Sequence, residues 1–316
     1  MIALLVYTGI FAGCLVTIVG GLAPILSAAD GINHFRPWLL GLSGLLVLLA
    51  FWSNRRAAKI ASLGLAAIQA LLFALPLMWR AEVRGIGPAS VPAKRHITLI
   101  NFNMAWAQRP VDDVATFLLE QDADIVLLQE VTTAHASSLH PRLEARYPHY
   151  HACGLFQACT QAIFSKRPWT NVRDVYRATG NPEMIVAAFD DPQMGRFQVH
   201  GIHLSWPFTP DTQKRHIDRL IAMRATITTP DIFAGDFNLT PWSYQLQRWL
   251  WASDLRRHGG FLATWPTDGQ FRLPMPLFQI DHVVTTPDIK TISMETGPRL
   301  GSDHLPVITR LELPAK

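Results

Sequence analysis

The sequence predicts an α/β fold of mixed sheets with outer helices, preceded by an N-terminal helical transmembrane region. Strand-like runs alternate with helix-like runs after residue 95, and the strand-like runs 184–189 and 196–203 follow one another with no helix between them. Three long apolar stretches precede residue 80. The first two observations predict the mixed sheets, and the third predicts the membrane region.

The apolar stretches cover residues 2–29, 37–53 and 60–79, and none contains a charged residue. A bilayer core needs about 20 such residues, with about 17 as the short limit. We therefore expect three transmembrane helices within residues 1–80 and a multi-pass location in the inner (cell) membrane. A cleaved signal peptide is the alternative for the first stretch, although that stretch has no basic segment before it and exceeds the usual apolar length of about 7 to 15 residues.

Charge is divided unevenly along the chain. Residues 1–95 carry eight Lys and Arg against two acidic residues, so the remaining 20 basic and 22 acidic residues give a net charge of −2. A nucleic-acid-binding domain usually has a basic surface, and the second part of this chain lacks one at the level of net charge. The net charge leaves open whether this part of the chain has a local basic patch.

The loop after the second apolar stretch holds Arg55, Arg56 and Lys59, which places it in the cytoplasm by the positive-inside rule. The domain that follows the third helix is then extracytoplasmic, although four basic residues within 80–95 weaken this bias. Cys153 and Cys159 flank a short segment between two strand-like runs. A hairpin there would allow a disulfide, which persists in an oxidising compartment, and two buried thiols are the alternative.

Residues 81–95 are rich in Gly and Pro and predict a linker, and residues 96–316 form the predicted catalytic domain. No internal repeat is evident. Helices are expected where the apolar residues recur with helical spacing, at residues 111–121, 137–146, 212–226 and 243–251.

Polar side chains come at the ends of several strand-like runs. Gly235-Asp236-Phe237-Asn238 follows an apolar run, and residues 301–306 precede another. Loops held by rigid strands are where catalytic groups collect. The full set, in chain order, is Asn103, Glu130, His203, Asp236, Asn238, Asp281, Asp303 and His304.

The order and local sequence of these groups resemble the endonuclease/exonuclease/phosphatase superfamily over roughly His96 to Leu313. Its relatives include pancreatic-type deoxyribonuclease, abasic-site endonucleases, bacterial sphingomyelinases and inositol-polyphosphate 5-phosphatases. The resemblance implies a four-layer α/β sandwich of two face-to-face sheets. The whole chain also resembles the membrane-tethered bacterial YafD-type branch, which implies no particular substrate.

The resemblance also implies roles for the site residues. Glu130 would bind Mg²⁺ (or Mn²⁺) through a hard oxygen, with Asp303 beside the metal or its water and Asn103 orienting the metal shell. His304 would act as the general base, and Asp281 would hold its tautomer. The other three have accessory roles: Asp236 orients water or a histidine, Asn238 donates to the phosphate, and His203 stabilises charge or protonates the leaving group.

Other residues near these motifs are expected to be structural. Gln129 and His282 point away from the site by strand alternation, and His200 packs nearby. His216 is expected on a solvated helix face. The apolar loop Trp206-Pro207-Phe208 either rims the site or covers the core.

These expectations describe a membrane-tethered, divalent-metal-dependent phosphoesterase that hydrolyses phosphodiester bonds. Its expected partners are the lipid bilayer and a phosphodiester substrate, either a lipid headgroup or a nucleic acid, and no protein partner is predicted. An endonuclease acting on DNA or RNA is the first alternative, and a noncatalytic membrane receptor or scaffold is the second. A serine hydrolase is not suggested because no Gly-x-Ser-x-Gly sequence occurs. A transporter is disfavoured because the apolar stretches lack ionisable residues.

Overall fold

The computed structural model describes residues 1–53, 55–78, 81–82, 96–105, 111–153, 159–177, 180–267 and 275–314. The helices of the described residues are α1 Ile2–Gly21, α2 Asp30–Asn33, α3 Arg36–Phe51, α4 Arg56–Met78, α5 Val111–Gln121, α6 Thr133–Leu143, α7 Pro210–Arg224 and α8 Tyr244–Ala252, with a 3₁₀ turn at Ser27–Ala29. The strands are β1 Ala81–Glu82, β2 His96–Asn103, β3 Ile125–Gln129, β4 His149–Ala152, β5 Ala162–Ser165, β6 Asn171–Val175, β7 Glu183–Asp191, β8 Gly195–His203, β9 Asp231–Asp236, β10 Arg256–His258, β11 Asp281–Thr285, β12 Lys290–Thr296 and β13 Val307–Glu312.

The N-terminal helices α1 and α4, with 20 and 23 residues, are long and apolar enough to cross a membrane. The helical segments of residues 27–33 and 36–51 meet at a bend of 58°, and they add a third candidate span only if the bent pair is counted as one. The sequence predicts a helix within the first apolar stretch, residues 2–29. The helix is shorter than this stretch because α1 ends at Gly21. The second stretch forms a helix of only 16 residues.

The strands form two mixed sheets. One sheet has seven strands in the order β1-β10-β11-β9-β8-β7-β6, and the other has six in the order β12-β13-β2-β3-β5-β4. Parallel pairs, β2 with β3 and β8 with β9, lie among antiparallel neighbours. The predicted mixed sheets are confirmed.

Three hydrophobic clusters define four layers. The central cluster joins residues of both sheets, such as Leu127 and Ile232, so the sheets pack face to face. A second cluster packs α5 and α6 on the outer face of the six-stranded sheet, through residues such as Leu118. A third packs α7 and α8 on the outer face of the seven-stranded sheet, through residues such as Trp249. The expected four-layer α/β sandwich is confirmed.

Strand direction brings the polar strand ends together. The parallel strands β2 and β3 end at the same edge of one sheet, as β8 and β9 do in the other. Because β11 is antiparallel to β9, its first residue Asp281 lies opposite Asp236, the last residue of β9. Because β13 is antiparallel to β2, the residues before Val307 also reach this edge.

Gly235 is required by the close pairing of β8 and β9. It lies opposite Ile202 in the parallel ladder. A Cβ atom at this position would overlap the backbone carbonyl oxygen of Ile202. The glycine before Asp236 therefore has a steric reason, since any side chain would push the two strands apart.

Some boundaries differ from the sequence predictions. Ala81–Glu82, the start of the predicted linker, pairs in parallel with β10 and extends the sheet edge, while residues 83–95 lie outside the described residues. Helix α6 begins at Thr133 rather than 137 because Thr132 and His135 form a capping box at its start. Cys153 and Cys159 form a disulfide with a Cα–Cα distance of 5.8 Å, beside the predicted hairpin of β4 and β5.

Candidate active site

The eight predicted site residues lie together at the shared edge of the two sheets. Asn103 is at the centre of this cluster and is fully buried. Its amide nitrogen donates to Glu130 Oε1 at 3.1 Å and to Asp236 Oδ2 at 3.0 Å. Its amide oxygen accepts from the backbone of Ala105 at 2.8 Å. Asn103 thus joins a carboxylate of one sheet to a carboxylate of the other.

His304 and Asp281 form a buried pair. His304 Nδ1 lies 2.9 Å from Asp281 Oδ2. The histidine backbone is fixed by Ser302, whose hydroxyl accepts from His304 N at 3.0 Å and donates to the carbonyl of Asn103 at 2.7 Å. Burial alone would lower the pKa of His304, but the nearby carboxylates, Asp281 first, raise this pKa to about 10.

Asp236 lies between the two histidines of the site. Its Oδ2 is 3.8 Å from Nε2 of both His203 and His304. Burial raises the pKa of Asp236 to about 7, with His304 acting in the opposite direction. Asn238 donates its backbone N–H to Asp236 Oδ1 at 2.8 Å and its side-chain amide to Asp236 Oδ2 and to the carbonyl of Leu204. Donation from Asn238 to a phosphate would require one of these amide bonds to be exchanged.

His203 lies against a carboxylate that the sequence analysis did not identify. Glu183 begins β7 and is the register partner of His203 on β8. Its Oε2 is 3.7 Å from His203 Nδ1 and 3.0 Å from an Arg177 nitrogen, and its Oε1 accepts from the backbone of Thr160 at 2.6 Å. Burial, with Arg177 and His304, lowers the pKa of His203 to about 3. His203 is therefore a neutral imidazole at neutral pH. The sequence feature that could have indicated Glu183 is its position directly before the strand-like run 184–189.

Glu130 and Asp303 lie on the more accessible side of the site. Glu130 follows β3 with a backbone φ of 54° and is only partly buried. Burial is the main cause that raises the pKa of Glu130, and the charge of Asp303 adds to it. Asp303 Oδ2 accepts from the indole of Trp265 at 2.9 Å. Asp303 Oδ1 has no hydrogen-bond partner among the described residues.

The chemistry of these donors fits a divalent cation. Asp303 Oδ1 and Asp281 Oδ1 are both buried without a partner in the described part of the chain. The ligand atoms of Asp236, Asp281 and His304 lie within 4.8 Å of one another. His304 Nδ1 in this group already bonds Asp281, and the predicted ligands Glu130 and Asp303 add hard carboxylate oxygens of the kind that Mg²⁺ and Mn²⁺ prefer.

Three histidines near the site have structural contacts. His282 Nε2 lies 2.7 Å from the carbonyl of Leu239, and His200 stacks on Phe233 at 4.3 Å. The expectation that His216 lies on a solvated helix face is wrong. Its ring is buried because it lies on the face of α7 that packs against the sheet. Burial lowers the pKa of His216 to about 4.

The apolar loops around the site have two different environments. Trp206 and Phe208, just after His203, are 55% and 84% exposed, with ring centroids 6.3 Å apart. Trp242, just after Asn238, is buried and stacks on Phe73 of α4 at 5.2 Å. One loop therefore presents an apolar surface to solvent, and the other packs on the N-terminal helices.

The chain matches the model of the Endonuclease/Exonuclease/phosphatase family over residues 100–304. Among solved structures it is similar to an endonuclease/exonuclease/phosphatase from Beutenbergia cavernae, with 20% identity, a TM-score of 0.54, and coverage of 70% of this chain and 72% of that one. It is similar to D. rerio TDP2 complexed with single strand DNA product, with 15% identity, a TM-score of 0.58 and coverage of 69% and 99%. It is also similar to sphingomyelinase C from Streptomyces griseocarneus, with 16% identity, a TM-score of 0.53 and coverage of 70% and 99%. At these identities the likeness is one of fold. No curated protein matches the sequence.

The prediction that this site binds a divalent metal can be tested without a substrate. We expect Mg²⁺ or Mn²⁺ to raise the Tm of the full-length protein, because a ligand that binds only the folded state stabilises it. Glu130→Gln keeps an oxygen for Asn103 but removes the charge, so the apparent metal affinity should fall at least about tenfold. Asp190→Asn is the control, since Asp190 is an exposed carboxylate on β7 paired with Arg196. An equal metal-dependent rise in Tm for Glu130→Gln would exclude Glu130 as a ligand.

Proposed function

We propose, from the premise that this chain belongs to the endonuclease/exonuclease/phosphatase family, that it hydrolyses phosphodiester bonds with a water molecule activated by His304 and with Mg²⁺ or Mn²⁺ bound. The observation that carries the proposal is the buried bond of 2.9 Å between His304 Nδ1 and Asp281. A carboxylate on Nδ1 leaves Nε2 as the nitrogen that accepts a proton.

The proposed reaction is a single displacement at phosphorus. The carboxylates around His304 raise its pKa to about 10 in the metal-free site, and a bound divalent cation would offset their charge and lower this pKa, so that the ring is neutral. Neutral His304 Nε2 takes a proton from water as the water oxygen bonds to phosphorus and the bond to the leaving oxygen breaks. Asp281 stays ionised and stabilises the imidazolium that forms. The leaving oxygen then takes a proton from solvent, and the imidazolium returns its proton to solvent. Atoms and charge balance for the hydrolysis of one ester bond.

Glu130 and Asp303 are the proposed metal ligands, and Asn103 holds Glu130 in place by its bond of 3.1 Å. When bound, Mg²⁺ or Mn²⁺ supplies positive charge that offsets both the carboxylates around His304 and the oxygens of the phosphodiester. Asp236 and Asn238 position the attacking water and the phosphate from the opposite sheet.

His203 is proposed to donate a hydrogen bond to the phosphate rather than to act as an acid. Burial is the largest cause that lowers the pKa of His203 to about 3, so the ring is neutral and carries one N–H. Glu183 Oε2 is 3.7 Å from Nδ1, too far for the hydrogen bond that would hold the N–H on Nδ1. Nε2 lies 3.8 Å from both Glu130 Oε1 and Asp236 Oδ2, and these carboxylates favour the N–H on Nε2. A neutral donor stabilises developing negative charge without proton transfer.

The complete set of reactive side chains at the site supports an enzyme over a receptor or scaffold. A binding module has no need for a buried Asp281 behind His304, since burying a carboxylate is costly unless it is paired. The alternative function is an endonuclease with the same machinery, and the likeness to TDP2 in complex with DNA is the observation that favours it.

A substrate presented by the membrane is the proposed class. The helices α1 and α4 are candidate spans, and the exposed Trp206 and Phe208 lie a few residues after His203. Exposed apolar patches next to a site mark contact with a lipid or a ligand. A domain with a net charge of −2 has little long-range attraction for a polyanion such as duplex DNA.

The role of the histidine pair can be tested by a double-mutant cycle. We expect Asp281→Asn to lower kcat by up to about 10⁴-fold, because the amide favours the wrong tautomer of His304. His304→Ala added to it should cost little more, since residues that act as one unit are non-additive. Asp231→Asn is the matched control, because Asp231 is a buried carboxylate 3.4 Å from His200 at the other end of β9. Losses that simply multiply would show that Asp281 and His304 act independently.

The substrate class can be tested at the exposed loop. Phe208→Ser should lower turnover of a phospholipid in vesicles several-fold and leave turnover of bis(4-nitrophenyl) phosphate unchanged, because the ring acts only at a bilayer surface. Leu119→Ser, which changes an exposed apolar residue of α5, is the control. Efficient nicking of plasmid DNA at physiological salt, with vesicle lipids left intact, would favour the endonuclease instead.

We propose that the catalytic domain lies on the extracytoplasmic side of the inner membrane, where the Cys153–Cys159 disulfide would persist. An alkaline phosphatase reporter fused after Lys316 should then be active, and a fluorescent reporter that matures only in the cytoplasm should be dark. The converse pair of results would place the domain in the cytoplasm.

A further inference from the structure

The N-terminal helical region supplies a carboxylate to a helix of the catalytic domain. Asp30 is 3% exposed and lies at the start of α8. Its Oδ1 accepts from Tyr244 N at 2.6 Å, and its Oδ2 accepts from Ser243 Oγ at 2.7 Å and Gln245 N at 3.1 Å. The first N–H groups of a helix have no partner within the helix, and negative charge is favourable there. Asp30 thus caps α8 from more than 200 residues away in sequence.

The neighbouring loop is held by the same helical region. Thr240 donates its backbone N–H to His34 Nδ1 at 3.2 Å. The Trp242 indole donates to the carbonyl of Phe73 at 2.9 Å. These contacts begin two residues after Asn238. The segment from Asn238 to Gln245 is therefore fixed at one end by Asp236 and along its length by the N-terminal helices.

A second chain of contacts reaches the opposite side of the site. Asp303 accepts from the Trp265 indole, and the Trp265 ring lies 5.9 Å from the ring of Phe278. Phe278 in turn packs edge-on against Phe35, with centroids 5.8 Å apart. Phe35 follows His34 directly. Residues 30–35 thus support both Asn238 and Asp303.

Asp30 is itself oriented by a polar network inside the helical region. Asn33 donates to Asp30 Oδ1 at 2.9 Å, and Arg36 donates to Asn33 at 2.6 Å. Arg36 also donates to Gln69 of α4 at 3.4 Å. A Cβ atom at Gly20 of α1 would lie 2.8 Å from Asn33 Oδ1, so the glycine leaves room for this network. Buried polar groups are costly unless they are satisfied, and this network orients the Asp30 carboxylate toward α8.

We infer that Asp30 and His34 are positioning residues of the active site, and that the N-terminal helical region completes the site rather than only tethering it. By fixing the backbone from Thr240 to Gln245, they hold Asn238 and, through it, Asp236 against the phosphate. This inference rests on the proposed phosphodiesterase activity for its kinetic consequence. Its structural consequence is independent of that activity.

The test uses the full-length protein in detergent micelles with Mg²⁺ and bis(4-nitrophenyl) phosphate as the soluble substrate. We expect Asp30→Ala to increase amide hydrogen exchange at Thr240, Tyr244 and Gln245 and to lower kcat about tenfold or more, because small displacements of positioned groups have large effects on rate. The metal affinity and KM should change little. His34→Ala should produce the same pattern more weakly. It replaces Asp30→Ala as the test variant if Asp30→Ala does not fold.

A rescue variant separates positioning from general docking. Ser243→Asp in the Asp30→Ala background supplies a local carboxylate cap and should restore both exchange protection and kcat. In the wild-type background the same change places two carboxylates together and should lower both. Asp218→Ala is the control, because it breaks the bond of 2.6 Å to Arg248 of α8 without touching the start of the helix.

Three outcomes would overturn the inference: unchanged exchange and kcat in Asp30→Ala, increased exchange with unchanged kcat, or losses of equal size in Asp218→Ala. Absence of phosphodiester hydrolysis by the wild-type protein would instead overturn the proposed function. In that case the exchange measurements alone would decide whether Asp30 fixes the loop.

Discussion

Negative charge buried at one edge of two packed sheets is the constraint on which this structure depends. Glu183, Asp236 and Asp281 are almost fully buried, and Glu130 and Asp303 lie beside them. Loss of hydration raises the pKa values of Glu130, Glu183 and Asp236. Each carboxylate therefore has a dedicated partner: the amide of Asn103, the ring of His304, the indole of Trp265, or the hydroxyl of Thr160. The remaining unpaired oxygens and excess charge are what a divalent cation would satisfy.

The same constraint explains the glycine and the irregular backbone around the site. Gly235 allows β8 and β9 to approach closely, which brings His203 and Asp236 side by side at the strand ends. Glu130 and Asn238 both have positive φ angles, which turn the chain sharply after β3 and β9. Such conformations persist where the surroundings determine them, and they aim the side chains across the interface between the sheets.

The helical region and the sandwich form one connected structure. Asp30 caps α8, and Trp242 and Phe278 pack on Phe73 and Phe35. Contacts of this kind orient the sandwich relative to the candidate membrane spans, so the loops next to Asn238 and Asp303 face the helices. That geometry joins the candidate membrane spans to the shape of the site. It is consistent with the proposed substrate presented by a membrane.

Local sequence predicted the strands that end at the candidate site, most helix positions and the eight polar groups at those strand ends, because apolar periodicity and strand-end polar residues are properties of short segments. It also indicated the hairpin beside Cys153 and Cys159, and the structure decided that the two sulfurs are bridged. Tertiary structure alone decided that His216 is buried, that Glu183 lies beside His203, and that Asp30 caps α8. Burial depends on which face of a helix meets the sheet, and a cap given by a residue more than 200 positions away depends on packing between distant segments. No pattern within a short segment carries that information, since it arises only when the two segments are in contact.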